Sequence, residues 1–377
     1  MERFLHGLLQ DLERRCSTLR DRLATIPVDQ EVRSYAMSTY QEAERIRRRV
    51  AQLLADPSLS SPLLLSNHLQ LYKRLNERVR VIESFPFLFV ERYAEPDRRI
   101  TRFCQRLTEQ IGWPLSAPLV ATFSHQYYWT VAEFNLVCTP GIEGILLLSQ
   151  PDLCHELGHI LLLAYKALFL EDFLHILEHY ILEEQRRVDT GQRPLQYRPL
   201  YEVLLMQWKD AWVLEFVADM IATYLVGPAF GWQHLRLCTG NSRTVYYPGL
   251  SDIAEHPADE ARFRGIIAVL EQIGALEAVD RIQTLWDNYL AACGETLPPD
   301  YEVCYPQTLI EALAQRTIEV CRMLSLRSFN ASNSTGGNIP SLLNEAWERF
   351  LNDPQTYADW ERSQLEMLWR DLGFNAL

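Results

Sequence analysis

His155-Glu156-Leu157-Gly158-His159, at the head of the apolar run Leu157 to Leu170, is the stretch from which the rest of the chain is read. The apolar run predicts a buried helix, and residues four apart on a helix share a face. His155 and His159 can therefore offer two imidazole nitrogens to one zinc ion. Glu156 sits beside the first, placed to take a proton from a water on the metal. The pattern H-E-x-x-H also arises by chance on core helices, so its value depends on what the chain supplies elsewhere.

A catalytic zinc takes three protein ligands and keeps one position open. Trp212-Val-Leu-Glu215-Phe-Val-Ala-Asp219 offers the third, Glu215, on a second predicted helix. Glu215 and Asp219 share a face within an otherwise apolar run, where two carboxylates are costly unless paired or metal-bound. A metal compensates Glu215. Asp219 can accept a hydrogen bond from the free ring nitrogen of His155 and fix its tautomer. The alternative is a polar stripe facing water. A third piece is His256-Pro257-Ala-Asp-Glu-Ala-Arg262. A histidine just before a helix can reach a cleft and hydrogen-bond an oxyanion formed at a carbonyl. Arg262 can pair with a carboxylate of the site or hold the loop that carries His256.

In that order, H-E-x-G-H, E-F-x-A-D and H-P-x-x-x-x-R resemble the gluzincin metallopeptidases of the HtpX-like and prenyl-protease group. The resemblance covers about 155–262 and the strands before it. It implies zinc ligands at His155, His159 and Glu215, a general base at Glu156, a supporting role for Asp219 and a substrate or transition-state contact at His256. That family is usually membrane-embedded, and this chain has no stretch of 18 uncharged apolar residues, so no transmembrane span is expected. Glu255 stands where the family often has Ser or Thr.

His175-Ile-Leu-Glu178-His179 is a rival, since it fits the inverted motif H-x-x-E-H. No comparable third ligand accompanies it, and its surroundings read as an ordinary amphipathic helix. Cys154, next to His155, is read as a buried inert thiol; the other reading is a redox or inhibitory ligand.

The 377 residues allow one large domain or two ordinary ones, and 48% hydrophobic with 23% charged residues is ordinary for a globular chain. A net charge of −13 without a large basic block argues against nucleic acid or an anionic membrane as the main partner. The eight cysteines are scattered without a C-x-x-C pair, which suggests reduced thiols in a cytoplasmic protein. Residues 1–112 read as a helical region without a catalytic motif: helices over 1–24, from Asp29 to about Ala55, over 62–84 and from Asp97 to Ile111. Phe85-Pro86-Phe87 is expected to end the third of these. The Arg-rich faces with Arg45, Arg47, Arg48 and Arg49 are read as solvated. Leu119 to Phe123, Tyr127 to Val137 and Ile145 to Leu148 read as strands. Helices follow over 153–169, capped by Asp152, and over 171–188, 199–226, 258–273, 275–293 and 306–326. Residues 328–340 read as a flexible linker and 341–377 as a helical tail.

The expected fold is α+β and predominantly helical: a zincin-like domain over 113–327, with a small sheet before the active helix, joined to the helical N-terminal region. The expected function is a zinc-dependent endopeptidase acting on an intracellular protein or peptide. Ile145 to Leu148 would bind the substrate by strand addition. The helical extensions would serve a regulatory protein partner or autoinhibition. The alternatives are a helical interaction protein with a structural or vestigial zinc site, and a zinc hydrolase of a non-peptide amide.

Overall fold

A computed structural model describes residues 1–61, 63–124, 127–240, 244–247, 256–330 and 337–374. Glu255 and most of the expected linker, 331–336, lie outside the described residues. The chain divides into two compact units, Met1–Arg98 and Arg99–Leu377.

The first unit is helical, with α1 (Glu2–Thr25), α2 (Gln30–Leu54), α3 (Leu65–Ile82) and α4 (Leu88–Arg92). The buried side of α1 is Leu5, Leu9, Leu12, Cys16, Leu19 and Leu23; that of α2 is Val32, Ala36, Thr39, Ala43, Ile46, Val50 and Leu53. Both stripes step alternately by four and three, the spacing that keeps one seam of a helix on its partner. Phe4 stays exposed because it falls off that seam. Arg45 pairs with Glu42, and Arg47 and Arg48 with Glu44, so the basic face is matched by acids on its own helix. Phe85-Pro86-Phe87 does not end the helical path. A π-turn, Glu83–Phe87, passes the proline, and helix resumes at Leu88. A wide turn absorbs the missing proline N–H that an α-helical interior cannot.

The division falls within α5 (Glu95–Ile111), whose Ile100, Phe103, Cys104, Leu107 and Ile111 enter the core of the second unit. There β1 (Leu119–Ser124), β2 (Trp129–Val131) and β3 (Leu136–Pro140) form a mixed sheet in the order β1-β3-β2. β1 runs parallel to β3, with Leu119 opposite Leu136, and β2 runs antiparallel to β3, with Thr130 opposite Val137. The single strand expected over Tyr127 to Val137 is therefore two strands. A turn at Ala132–Phe134 and a left-handed Asn135, at φ 50°, fold them back on each other. Ile145 to Leu148 is not a strand. It is two short 3-10 turns, closed by Ile145 N–H to Ile142 and Ser149 N–H to Leu146. Leu147 and Leu148 are both buried, so the run lacks the alternation a half-exposed strand needs.

The rest is helical: α6 (Pro151–Ala164), α7 (Lys166–Asp189), α8 (Arg198–Gln207), α9 (Val213–Val226), α10 (Pro228–Gly240), α11 (Asp259–Gln272), α12 (Leu276–Cys293), α13 (Tyr301–Cys304) and α14 (Gln307–Met323). The helix expected over 199–226 is broken into α8 and α9 by a π-turn at Trp208–Trp212. α9 is the central helix. Every residue of it except Leu214 is buried, as an all-round apolar sequence requires. It packs on α6, α10, α11 and α14. α10 was not anticipated; Gly227, at φ 60°, ends α9 and lets Pro228 open the next helix. The expected tail is α15 (Ile339–Asn352) and α16 (Pro354–Asp371). Ile339, Leu343, Ala346, Trp347, Tyr357, Leu365 and Trp369 join the same core as α6 and α9. Buried Glu361 accepts from Leu147 N–H at 2.8 Å and from the Tyr357 hydroxyl at 2.7 Å. The fold is thus predominantly helical with one small mixed sheet. No described helix is long and apolar enough to cross a membrane.

Candidate metal centre

α6 starts two residues earlier than its sequence suggested. Pro151 takes the first helical position, where its missing N–H costs nothing, and Gln150 precedes it. Asp152 is therefore not the cap. Its carboxylate is buried and accepts from the Tyr127 hydroxyl at 2.6 Å and from the Gln233 amide of α10. Burial pushes its pKa up to about 6, against the opposing pull of those two donors.

One helical turn separates His155 from His159, and both present Nε2 to a common point, 3.0 Å apart. α9 brings Glu215 to the same point. Its Oε1 lies 3.4 Å from His159 Nε2 and its Oε2 3.5 Å from His155 Nε2. Donor atoms about 2.0–2.1 Å from a tetrahedral zinc lie about 3.3 Å from one another. The donor set and its spacing fit a metal ion, and these residues form one of two such convergent groups among the described residues. The helices must approach closely to achieve this. A Cβ on Gly158 would stand 2.8 Å from Ala218 Cα and 3.0 Å from Ala218 O, so glycine is required where α6 meets α9.

The other ring nitrogen of His155 meets Asp219 Oδ1 at 2.8 Å. Asp219, with no exposed surface, also receives a forked pair from Arg262 on α11, Nε at 2.7 Å and Nη2 at 2.8 Å. The expected tautomer-fixing bond is present, and of the two roles open to Arg262 the structure shows the carboxylate pair. Burial works against the Asp219 charge, but Arg262 and His155 hold its pKa below the ordinary carboxylate value. Burial likewise opposes charge on His155; its bonds to Asp219 and Glu215 prevail and hold its pKa well above the usual value. His159 moves the other way, to about 4, through burial and then the neighbouring His155 charge. Phe230 of α10 lies nearly parallel to the His155 ring, with 6.2 Å between centroids.

Glu156 is buried, and no hydrogen bond reaches its carboxylate among the described residues. Burial pushes its pKa up to about 8, with Glu215 and Asp152 adding to the rise. A nearby dication acts in the opposite sense and draws such a carboxyl back toward ionisation. His256 comes to the site with Nδ1 2.9 Å from Glu215 Oε2, and its side chain is 58% exposed, the most open of the group.

The rival histidines do not converge. His175 and His179 are exposed, and Glu178 is engaged by Lys209 at 2.6 Å. Cys154 is a fully buried member of the apolar core, and burial raises its thiol pKa. Tyr127, Phe230 and Gln233 were missed by sequence reasoning. None sits in a motif, and only the packing of α10 and of the turn before β2 brings them to α6. Comparison of the chain with protein-family models, curated proteins and solved structures finds no match.

Proposed function

We propose that the chain is a zinc-dependent endopeptidase of the gluzincin kind, acting on a protein or peptide in the cytoplasm. The observation that carries this reading is the convergence of two imidazole nitrogens and one carboxylate, with a buried carboxylate, Glu156, that no hydrogen bond reaches among the described residues. His155, His159 and Glu215 would hold the metal. Zinc in such a setting supplies Lewis acidity toward a carbonyl oxygen and lowers the pKa of a water. Glu156 accepts the proton of the attacking water and delivers it to the departing amine. Asp219 keeps the proton of His155 on Nδ1, which leaves Nε2 free as a ligand. Arg262 balances the charge of Asp219 and holds it in register. His256 gives its Nδ1 proton to Glu215, so its Nε2 steadies an oxyanion only in the imidazolium form. Ile145 to Leu148 forms turns and offers no strand edge to a substrate.

The test is zinc content of the full chain beside Glu215→Ala and the double variant His175→Ala/His179→Ala, with a proteome-wide cleavage assay on Glu156→Gln. One equivalent of zinc lost in Glu215→Ala and none lost in the double variant, with cleavage abolished by Glu156→Gln, is the expected result. Cleavage that persists in Glu156→Gln would sink the proposal, as would a folded protein that takes up no zinc.

A further inference from the structure

A second convergent group lies outside the centre just described. His234 and Cys238, four apart on one face of α10, are each 2% exposed. Asp259, in the first turn of α11, completes the group, and the ligand atoms of the three all lie within 4.8 Å of one another. His234 Nε2 and Cys238 Sγ are 3.5 Å apart. A nitrogen about 2.0–2.1 Å and a sulfur about 2.3 Å from a tetrahedral zinc stand about 3.6 Å apart. His234 Nε2 also meets the Asp259 backbone carbonyl at 2.9 Å, so α10 and α11 touch at this point.

We propose that His234, Cys238 and Asp259 form a second transition-metal site, for zinc or a metal of similar softness, that clamps α10 to α11. The thiolate excludes magnesium and calcium as occupants, because those ions take oxygen ligands. Charge balance supports the site. Thiolate and carboxylate together neutralise a dication, so the loaded site carries no net charge near Arg262, itself neutralised by Asp219. In the metal-free protein His234 is held neutral, chiefly by burial, and Cys238 is held as the thiol, also by burial. Metal uptake therefore releases the thiol proton, and the His234 proton moves from Nε2 to Nδ1. No electron is transferred.

The position gives the clamp a consequence. α10 carries Phe230 against His155, and α11 carries Arg262 against Asp219. A metal between α10 and α11 fixes both supports of the first centre without touching its ligands.

Cobalt loading of the full chain separates the two sites. The first centre has nitrogen and oxygen donors only, so a near-ultraviolet thiolate-to-cobalt charge-transfer band reports the second. Two equivalents of cobalt with that band are expected. Cys238→Ser should lose the band and one equivalent, Asp259→Asn should bind the second equivalent at least tenfold more weakly, and Cys293→Ser, at the exposed thiol, should change neither. Glu215→Ala should lose one equivalent and keep the band. One equivalent with the band would keep this proposal and overturn the first centre. One equivalent without it would do the reverse, and a band that survives in Cys238→Ser would also overturn the proposal. If Cys238→Ser fails to fold, the band and the Asp259→Asn titration decide alone: no band, or unchanged affinity in Asp259→Asn, overturns it.

Discussion

Gly158→Ala tests whether the close crossing of α6 and α9 sets the metal geometry. The added methyl would lie 2.8 Å from Ala218 Cα and 3.0 Å from Ala218 O, both backbone atoms. Comfortable carbon contacts begin near ~3.5 Å, so the two helices must separate by about 0.7 Å at this point. Overpacking of this sort costs about 1–3 kcal/mol. The glycine-to-alanine change in a helix returns about 0.5–1 kcal/mol, so the net loss of stability is modest, on the order of 1 kcal/mol. The effect on the metal is larger than the effect on the fold. Ligand distances tolerate only about 0.2 Å, and Glu215 would move with α9 away from His155 and His159. A loss of affinity of about tenfold or more, ~1.4 kcal/mol, is expected. The assay is zinc competition against a chelator, with chemical denaturation of the same samples. Gly7→Ala is the control, since Gly7 lies in α1 with nothing near its missing Cβ, and it should stabilise by about 0.5–1 kcal/mol. Ala218→Gly added to Gly158→Ala should not restore affinity, because the closest atoms belong to the backbone. Unchanged zinc affinity in a folded Gly158→Ala protein would refute the reasoning.

Three further outcomes follow from the buried polar groups and the core. Asp152 has a folded pKa of about 6, above its ordinary 3.8, so the native state holds the proton more tightly and stability falls as pH rises through that window. The loss amounts to about 3 kcal/mol and is complete above the folded pKa. Asp152→Asn keeps an acceptor for Tyr127 and Gln233, so it should flatten this slope in denaturant titrations at several pH values; an unchanged slope would count against it. Arg262→Ala leaves the Asp219 charge buried with only His155 beside it and should cost about 3–5 kcal/mol of unfolding free energy, with Arg262→Lys intermediate because an ammonium cannot fork. Equal stability of Arg262→Ala and the wild type would refute that. Truncation before α15 removes seven buried side chains, Ile339 to Trp369, from the core shared with α6 and α9, so it should yield unfolded protein on circular dichroism; a folded, more active product would restore the reading of the tail as an inhibitor.

The candidate metal centre was legible because its residues recur at helical spacing. Four-residue steps placed His155 with His159 and Glu215 with Asp219, and apolar neighbours said both faces were buried. Arg262 was legible only as one of two roles. What the sequence hid depended on distant packing. α10 was lost because the expected helices stop at 226 and resume only at 258, although Gly227-Pro228 between them is the chemistry of a helix start, and Phe230 and Gln233 vanished with it. Ile145 to Leu148 has the composition of a strand, but a run of four apolar residues does not say whether it is paired or wrapped into turns. The tail was set apart by the Gly- and Asn-rich stretch before it, while the apolar face of Leu343, Ala346 and Trp347 already required a partner.

The three motifs act as one mechanical unit. Each supplies one helix, and each helix contributes to a polar chain that begins at Nε2 of His155 and passes through Asp219 to Arg262. A fully buried carboxylate such as Asp219 costs several kcal/mol unless it is paired, so its retention demands a specific partner on either side. The forked contact from Arg262 fixes the plane of the carboxylate, the carboxylate fixes the imidazole, and the imidazole fixes the direction of Nε2. Glycine at 158 sets the distance between the helices while this chain sets the angle. In the proposed enzyme Arg262 would therefore act on chemistry at the centre without touching a substrate, and His256, at the exposed start of the same motif, would be the member left to meet one.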